Sequence, residues 1–228
     1  VSTGAVFADV DGDGDLDLLV NSIGGGTRLF LNDGKARFTE AAAAGLIRKF
    51  GSTSLALADI DGDADLDLYV TNYRTTTIRD APPDVKVDLF MKNGEVIAEP
   101  ADRFFGILKG TQGVQVFERG EEDFLYLNDG KGTFTPVPWT GGTFRDENGA
   151  ALTQVPRYWG LSAMFRDLNG DGAPDLYVCN DFSFSFDQVW INDGQGRFRP
   201  ISKLALRNMS MSSMGIDFAD INRDGFVD

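Results

Sequence analysis

In the stretch Phe7 to Asn21, FADVDGDGDLDLLVN, an aspartate occupies every second position five times running: Asp9, Asp11, Asp13, Asp15 and Asp17. Carboxylates set so close repel one another in any compact structure, so the run calls for a counter-charge at its centre. The pattern returns as ADIDGDADLDLYV (Ala58 to Val70), RDLNGDGAPDLYV (Arg166 to Val178) and ADINRDGFVD (Ala219 to Asp228). Small and apolar residues precede each copy in register. Gly4, Ser54, Ser162 and Gly215 stand five before the first aspartate, and Phe7, Leu57, Phe165 and Phe218 stand two before it. Self-similarity of this kind restricts the chain to repeat architectures.

A second motif follows three of the four copies: LFLNDGKARF (Leu29 to Phe38), LYLNDGKGTF (Leu125 to Phe134) and VWINDGQGRF (Val189 to Phe198). Asn-Asp-Gly between alternating apolar residues is a hairpin signal, because these residues accept the positive φ of tight turns. Each unit therefore reads as strand, acidic loop, strand, link, strand, Asn-Asp-Gly turn, strand. Frequent glycine (27) and phenylalanine (18) agree with short strands and tight turns. The fold class expected is all-β, with four-stranded antiparallel β-propeller blades of about fifty residues.

The first aspartates are spaced 50, 108 and 53 residues apart. Two excursions fill the long interval. Val70 and Leu125 are 55 apart where Val20 and Leu29 are 9 apart, and Asn128 and Asp167 are 39 apart where Asn32 and Asp59 are 27 apart. The division expected is a blade over 1–50, a blade with insertions over 51–158, a blade over 159–211 and the start of another over 212–228. The main insertion, about 73–123, holds a hairpin at Asn93-Gly94 and a turn-rich segment at Pro82-Pro83. Val1 opens within a strand pattern and Asp228 closes within a motif, as expected of a piece of a longer chain.

The acidic loops carry the chemistry. Positions 1, 3, 5 and 9 are Asp9, Asp11, Asp13 and Asp17 in loop one and Asp59, Asp61, Asp63 and Asp67 in loop two. They are Asp167, Asn169, Asp171 and Asp175 in loop three, and Asp220, Asn222, Asp224 and Asp228 in loop four. Carboxylates at 1, 3 and 5 of a turning loop are expected to converge on one hard cation, with a backbone carbonyl at position 7 (Asp15, Asp65, Ala173, Phe226) as a further ligand. Ca²⁺ fits better than Mg²⁺, which prefers to retain water. Four ions would take the formal charge from -14 to -6. An EF-hand is excluded, because position 12 is Val20, Val70 or Val178 where a glutamate is needed. Loops one and two, with four carboxylates each, should bind more tightly than loops three and four. Ala64 replaces glycine at position 6 of loop two, which predicts a strained turn there.

A net charge of -14 argues against nucleic-acid partners and anionic membranes. There is no histidine, and the single cysteine, Cys179, sits in an apolar run and reads as a core thiol. No apolar run approaches the ~20 residues that span a bilayer.

The DxDGDGxxDL loops and LNDGKGxF turns resemble FG-GAP/VCBS repeats, the propeller blades of integrin α-chain heads and of many secreted bacterial proteins. DLYVTNY, DLYVCNDF and MGIDFADINRDG look more narrowly like the cartilage acidic protein and ASPIC/UnbV-type family. The resemblance implies a ring of about seven blades, with the remaining blades in the parent chain. It also implies a secreted, periplasmic or cell-surface location and an extracellular protein or glycan as partner. On that reading calcium pins the loops of one rim, and loops and insertion together make the recognition surface. Tyr73 and Arg74, where the second strand ends, are candidate ligand contacts, while Trp139, Trp159 and Trp190 read as core. The competing expectation is part of a secreted lyase or hydrolase acting on polysaccharide. Glu118, Glu121 and Glu122 would be its carboxylates, although a solvated acidic turn explains them more simply.

Overall fold

The computed structural model describes residues 1–46, 48–77, 80, 86–182, 184–206, 208, 210 and 212–225. Pro82, Pro83, Phe226 and Asp228 lie outside the described residues.

Three four-stranded antiparallel sheets account for the repeat. The first runs in order through β1 (Ser2–Ala8), β2 (Asp17–Ser22), β3 (Gly26–Asn32) and β4 (Phe38–Glu40). The second opens with β5 (Ser52–Ala58) and β6 (Asp67–Asn72). Two hairpins then intervene: β7 (Asp88–Lys92) with β8 (Glu95–Glu99), and β9 (Phe104–Leu108) with β10 (Val114–Glu118). β11 (Phe124–Asn128) returns to pair with β6, and β12 (Phe134–Val137) completes the sheet. The third sheet is β13 (Gly160–Arg166), β14 (Asp175–Asn180), β15 (Gln188–Asn192) and β16 (Phe198–Pro200), followed by one turn of helix, α1 (Ser202–Ala205). Among the described residues no helix is long and apolar enough to cross a membrane.

These sheets are propeller blades, packed face against face. One apolar layer joins the first two, with Leu19, Leu29, Leu68, Val70 and Phe134 at its centre. A second joins the last two, built from Tyr69, Leu125, Trp139, Phe144, Trp190 and Phe198. β6 therefore faces apolar neighbours on both sides and is buried at all six positions, whereas β2 alternates between buried and half-buried. A strand buried on both faces loses the alternating pattern for this reason. All three tryptophans are buried, and the indole of Trp139 donates to Asp123 O at 2.8 Å.

The first strands of neighbouring blades lie side by side, and a repeated threonine links them. Thr3 Oγ1 donates to Ser52 O at 2.6 Å, and Thr53 Oγ1 to Gly160 O at 2.8 Å. The approach is close: a Cβ on Gly4 would stand 3.2 Å from Thr53 O. Residues 212–225 form no strand, but Ser213 N donates to Asn180 O at 3.1 Å and Phe218 meets the ring of Tyr177 edge-on.

Register corrects one expectation. Ala58 pairs with Asp67 and Ser52 with Asn72, so acidic loop and insertion leave opposite ends of β6. Six residues at ~3.3 Å each separate them by roughly 20 Å. Loops and insertion therefore form two surfaces, one at each rim. The Asn93-Gly94 turn does close the β7–β8 hairpin, with φ of 53° and 84°.

Candidate metal centre

In each loop the aspartate at position 1 ties the turn to itself. Asp9 accepts from the N–H groups of Gly12 and Gly14 at 2.9 and 3.0 Å. Asp59 accepts from Gly62, Asp63 and Ala64, and Asp167 from Gly170, Asp171 and Gly172. Those N–H groups hold the Asp167 carboxyl below its ordinary range. The turn needs a left-handed residue at position 6, where Gly14 and Gly172 have φ of 91° and 88°. Ala64 adopts φ 75° at the same place, the strain its sequence position predicts.

Position 9 closes the loop and also stitches the sheet. Asp17 is fully buried, accepting from Val10 N at 3.1 Å and Asn32 N at 2.9 Å. Asp67 does the same with Ile60 and Asn128, and Asp175 with Leu168 and Asn192. Burial raises the Asp67 carboxyl to about 6 despite those bonds.

Loops one and two each gather three carboxylates, Asp9 with Asp11 and Asp17, and Asp59 with Asp61 and Asp67, offering oxygens all within 4.8 Å of one another. The converging set is thus positions 1, 3 and 9. At position 5, Asp13 and Asp63 each accept the N–H two residues on, at 2.9 and 3.0 Å. At position 7 the side chains of Asp15 and Asp65 lie against Gly34 and Gly130, in space a Cβ there would take. Burial, reinforced by neighbouring carboxylates, raises Asp11 and Asp61 above the usual range. Oδ1 of Asp61 is buried without a hydrogen bond. An all-oxygen, acceptor-only donor set with an unsatisfied buried oxygen fits a hard divalent cation.

Loops three and four differ at position 3. Asn169 donates its carboxamide to Asp171 at 2.8 Å, and Asn222 to Asp224 at 3.0 Å. Asp167, Asp171 and Asp175 form no such carboxylate cluster among the described residues.

The Asn-Asp-Gly turns lie beside the acidic loops: Asn32 Nδ2 donates to Leu16 O within its own blade, and the two later turns span two blades. Asn128 Nδ2 donates to Val10 O and Asn192 Nδ2 to Ile60 O, both at 2.8 Å. The loop of one blade is thereby fixed by the turn of the next. The motif's hairpin signal carried no hint of this reach across blades.

At the opposite rim a second repeated device escaped the sequence reading. Asp123 accepts from Asn72 N at 2.7 Å and Tyr69 OH at 2.9 Å, and Asp187 from Asn180 N at 2.8 Å and Tyr177 OH at 3.2 Å. The signal was present as an aspartate five residues before the Asn of each later Asn-Asp-Gly turn. Burial raises the Asp123 carboxyl to about 7. Tyr73 donates to Asp181 at 3.0 Å and packs edge-on against Trp159, while Arg74 is held by Glu118 at 3.3 Å and by Arg119 O at 2.8 Å. Glu118 also pairs with Arg103, and Glu121 accepts from Gly51 N at 2.6 Å. Glu118 thus braces the insertion internally and Glu121 ties it to its blade, which corrects the solvated-turn reading for these two residues. Asn21, Asn72 and Asn180 are buried and donate to backbone carbonyls.

The FG-GAP-like repeat profile matches residues 9–70 and 167–228, more than half of the chain. The chain belongs to the FG-GAP-like repeat family. Integrin alpha-3 of Cricetulus griseus is 33% identical over 99 residues, covering 39% of this chain but only 9% of the integrin. A solved structure of an Agrocybe aegerita protein that specifically recognises non-reducing terminal N-acetylglucosamine is 20% identical and covers 86% of this chain and 50% of its own, at a TM-score of 0.24.

Proposed function

We propose that this FG-GAP-like repeat chain is a calcium-stabilised, non-catalytic β-propeller scaffold that binds an extracellular protein or carbohydrate. Its calcium is structural. Asp9, Asp11 and Asp17, and Asp59, Asp61 and Asp67, hold the two tightest ions, with Asp13 and Asp63 and the carbonyls of Asp15 and Asp65 completing the cages. Asp167, Asn169, Asp171, Asp175 and the carbonyl of Ala173 form a weaker site, and Asp220, Asn222 and Asp224 begin another. The observation that carries the reading is the Asp59–Asp61–Asp67 cluster with its unsatisfied Asp61 oxygen. The ion supplies the missing partner and offsets the mutual repulsion of the acids. The loop it fixes is bonded to the next blade through Asn128 or Asn192, so the ion braces the joint between blades.

Family membership and the integrin likeness support a secreted, periplasmic or cell-surface adhesion role. DLYVTNY and MGIDFADINRDG support the narrower cartilage acidic protein and ASPIC/UnbV-type kinship, with remaining blades elsewhere in the parent chain. Tyr73 and Arg74 act in this reading by holding the insertion as a rigid platform, and any ligand contact they make is through exposed edges. Calorimetry with Ca²⁺ on chelator-treated protein tests the proposal. Asp61→Ala should lower both the number of ions bound and the calcium-dependent rise in melting temperature, and an unchanged titration would reject it.

A further inference from the structure

At the rim away from the acidic loops, a cleft of about 750 Å³ opens between the insertion, the link joining the second and third blades, and the outer part of the third blade. Its formation depends on Gly120, where a Cβ would collide with Tyr158 O. That close approach brings Arg119 alongside Arg157 and Tyr158, all three of which line the cleft.

The charges here run against the rest of the molecule. In a chain of net charge -14, Arg119 and Arg157 line one cleft without an ion pair among the described residues, and Asp146 in the same lining accepts from the N–H groups of Asn148 and Ala150. Arg157 makes no hydrogen bond with any described residue, and the Arg119 guanidinium lies over the ring of Phe105 with Nε on Ala101 O at 3.2 Å. Arg119 is pushed below its ordinary range by burial and then by the nearby charge of Arg157. Like charges held together and partly desolvated are unfavourable unless an anion joins them. Lys203 also lines the cleft, but Glu147 neutralises it at 2.7 Å.

The remaining lining is amphipathic. Phe186 is 51% exposed at the mouth, and the Tyr158 hydroxyl donates to no described residue. The carboxamides of Asn148 and Gln154 are likewise unbonded among the described residues. A peptide could not dock here as an added strand, because the edge of β16 is already covered: Phe198 N donates to Thr143 O and Arg145 N to Phe198 O. Recognition must therefore come from side chains: amides and a phenol for hydroxyl groups, aromatic faces for C–H surfaces, and two guanidinium forks for an anion.

We infer that this cleft binds an acidic saccharide, with its anionic group between Arg119 and Arg157 and a sugar ring against Phe186 and Tyr158. The inference rests on the reading of the chain as a binding scaffold, and is independent of calcium.

The test is calorimetric titration of the calcium-replete chain with a galacturonate oligomer, its methyl-esterified form, a sulfated neutral oligosaccharide and poly-glutamate. Galacturonate should bind, esterification should weaken it roughly tenfold or more, and Arg157→Gln should cost a similar factor. Arg119→Gln should do the same, and if its packing role lowers the melting temperature, Arg157→Gln with Tyr158→Phe carries the test. Preference for the sulfated sugar at the same arginines would identify sulfate as the anion and uphold the site. Equal binding of esterified and free acid, indifference to Arg157→Gln, tighter binding of poly-glutamate, or no saccharide binding would overturn it. Calcium uptake measured on the same samples reads the scaffold's metal separately, so uptake without sugar binding removes this inference alone.

Discussion

Loops two and three share a backbone path and differ in how their charge is met. In loop two Asp61 joins Asp59 and Asp67, and one of its oxygens is buried without a hydrogen bond. In loop three Asn169 takes the same place and donates to Asp171, so the loop supplies its own positive pole. One atom, nitrogen in place of oxygen, separates a loop that holds a buried carboxylate oxygen without a hydrogen bond from one whose third position donates within the loop. Position 9 is common to both: Asp67 and Asp175 each join two N–H groups from different parts of the blade. Loop closure is thus shared, while the three-carboxylate cluster is not.

The largest effect should fall on what the loops share. Asp67→Ala orphans two buried N–H groups and Asp175→Ala one buried and one half-buried, a loss of about 2–5 kcal/mol each. Urea unfolding should show the loss in both blades, with calcium or with chelator. A cost confined to calcium-loaded protein would mean that position 9 acts only as a ligand.

The next effect separates the two rims through pH. The Asp123 carboxyl is raised to about 7 by burial, so the folded state binds its proton more tightly than the unfolded state. Its contribution to stability is present below about pH 4 and is lost as pH rises through about 7. Asp67, raised to about 6, gives a slope of the same sign over a narrower window. Saturating calcium should erase the Asp67 slope by favouring the ionised acid, and leave that of Asp123, which Asp123→Asn should abolish. Melting temperature against pH, with and without calcium, checks both.

Exchanging position 3 should move each loop toward the other. Asp61→Asn should weaken the tight calcium phase roughly tenfold and raise the melting temperature in chelator, because charge count tunes affinity and repulsion is relieved. Asn169→Asp should do the reverse. Equal affinities before and after the exchange would dissolve the distinction. The smallest effect is Ala64→Gly, which should stabilise loop two by about 0.5–1 kcal/mol by removing a left-handed alanine, and the same change in midpoint should appear with and without calcium.

Much of this was legible in the sequence because the repeat fixes its own register. The acidic motif placed the loops, Asn-Asp-Gly placed the outer turns, and the surplus spacing located the insertion between β6 and β11. Ala64 announced its strain by standing where glycine belongs. What stayed hidden are contacts between repeats, which a one-dimensional period does not encode. Asn128 reaches Val10 across 118 positions, and Asn192 reaches Ile60 across 132. Convergence of positions 1, 3 and 9, with position 5 drawn into the turn, depends on side-chain directions that spacing alone leaves open. The basic cleft assembles Arg119 and Arg157 from two excursions, neither of which shows a cationic pattern of its own.

The most direct test of the central claim is a calcium titration of chelator-treated protein, following bound-ion stoichiometry and heat unfolding together. Two ions should bind ahead of the weaker sites, and the melting temperature should climb as those two are filled. No uptake, with an unchanged melt, would contradict the account.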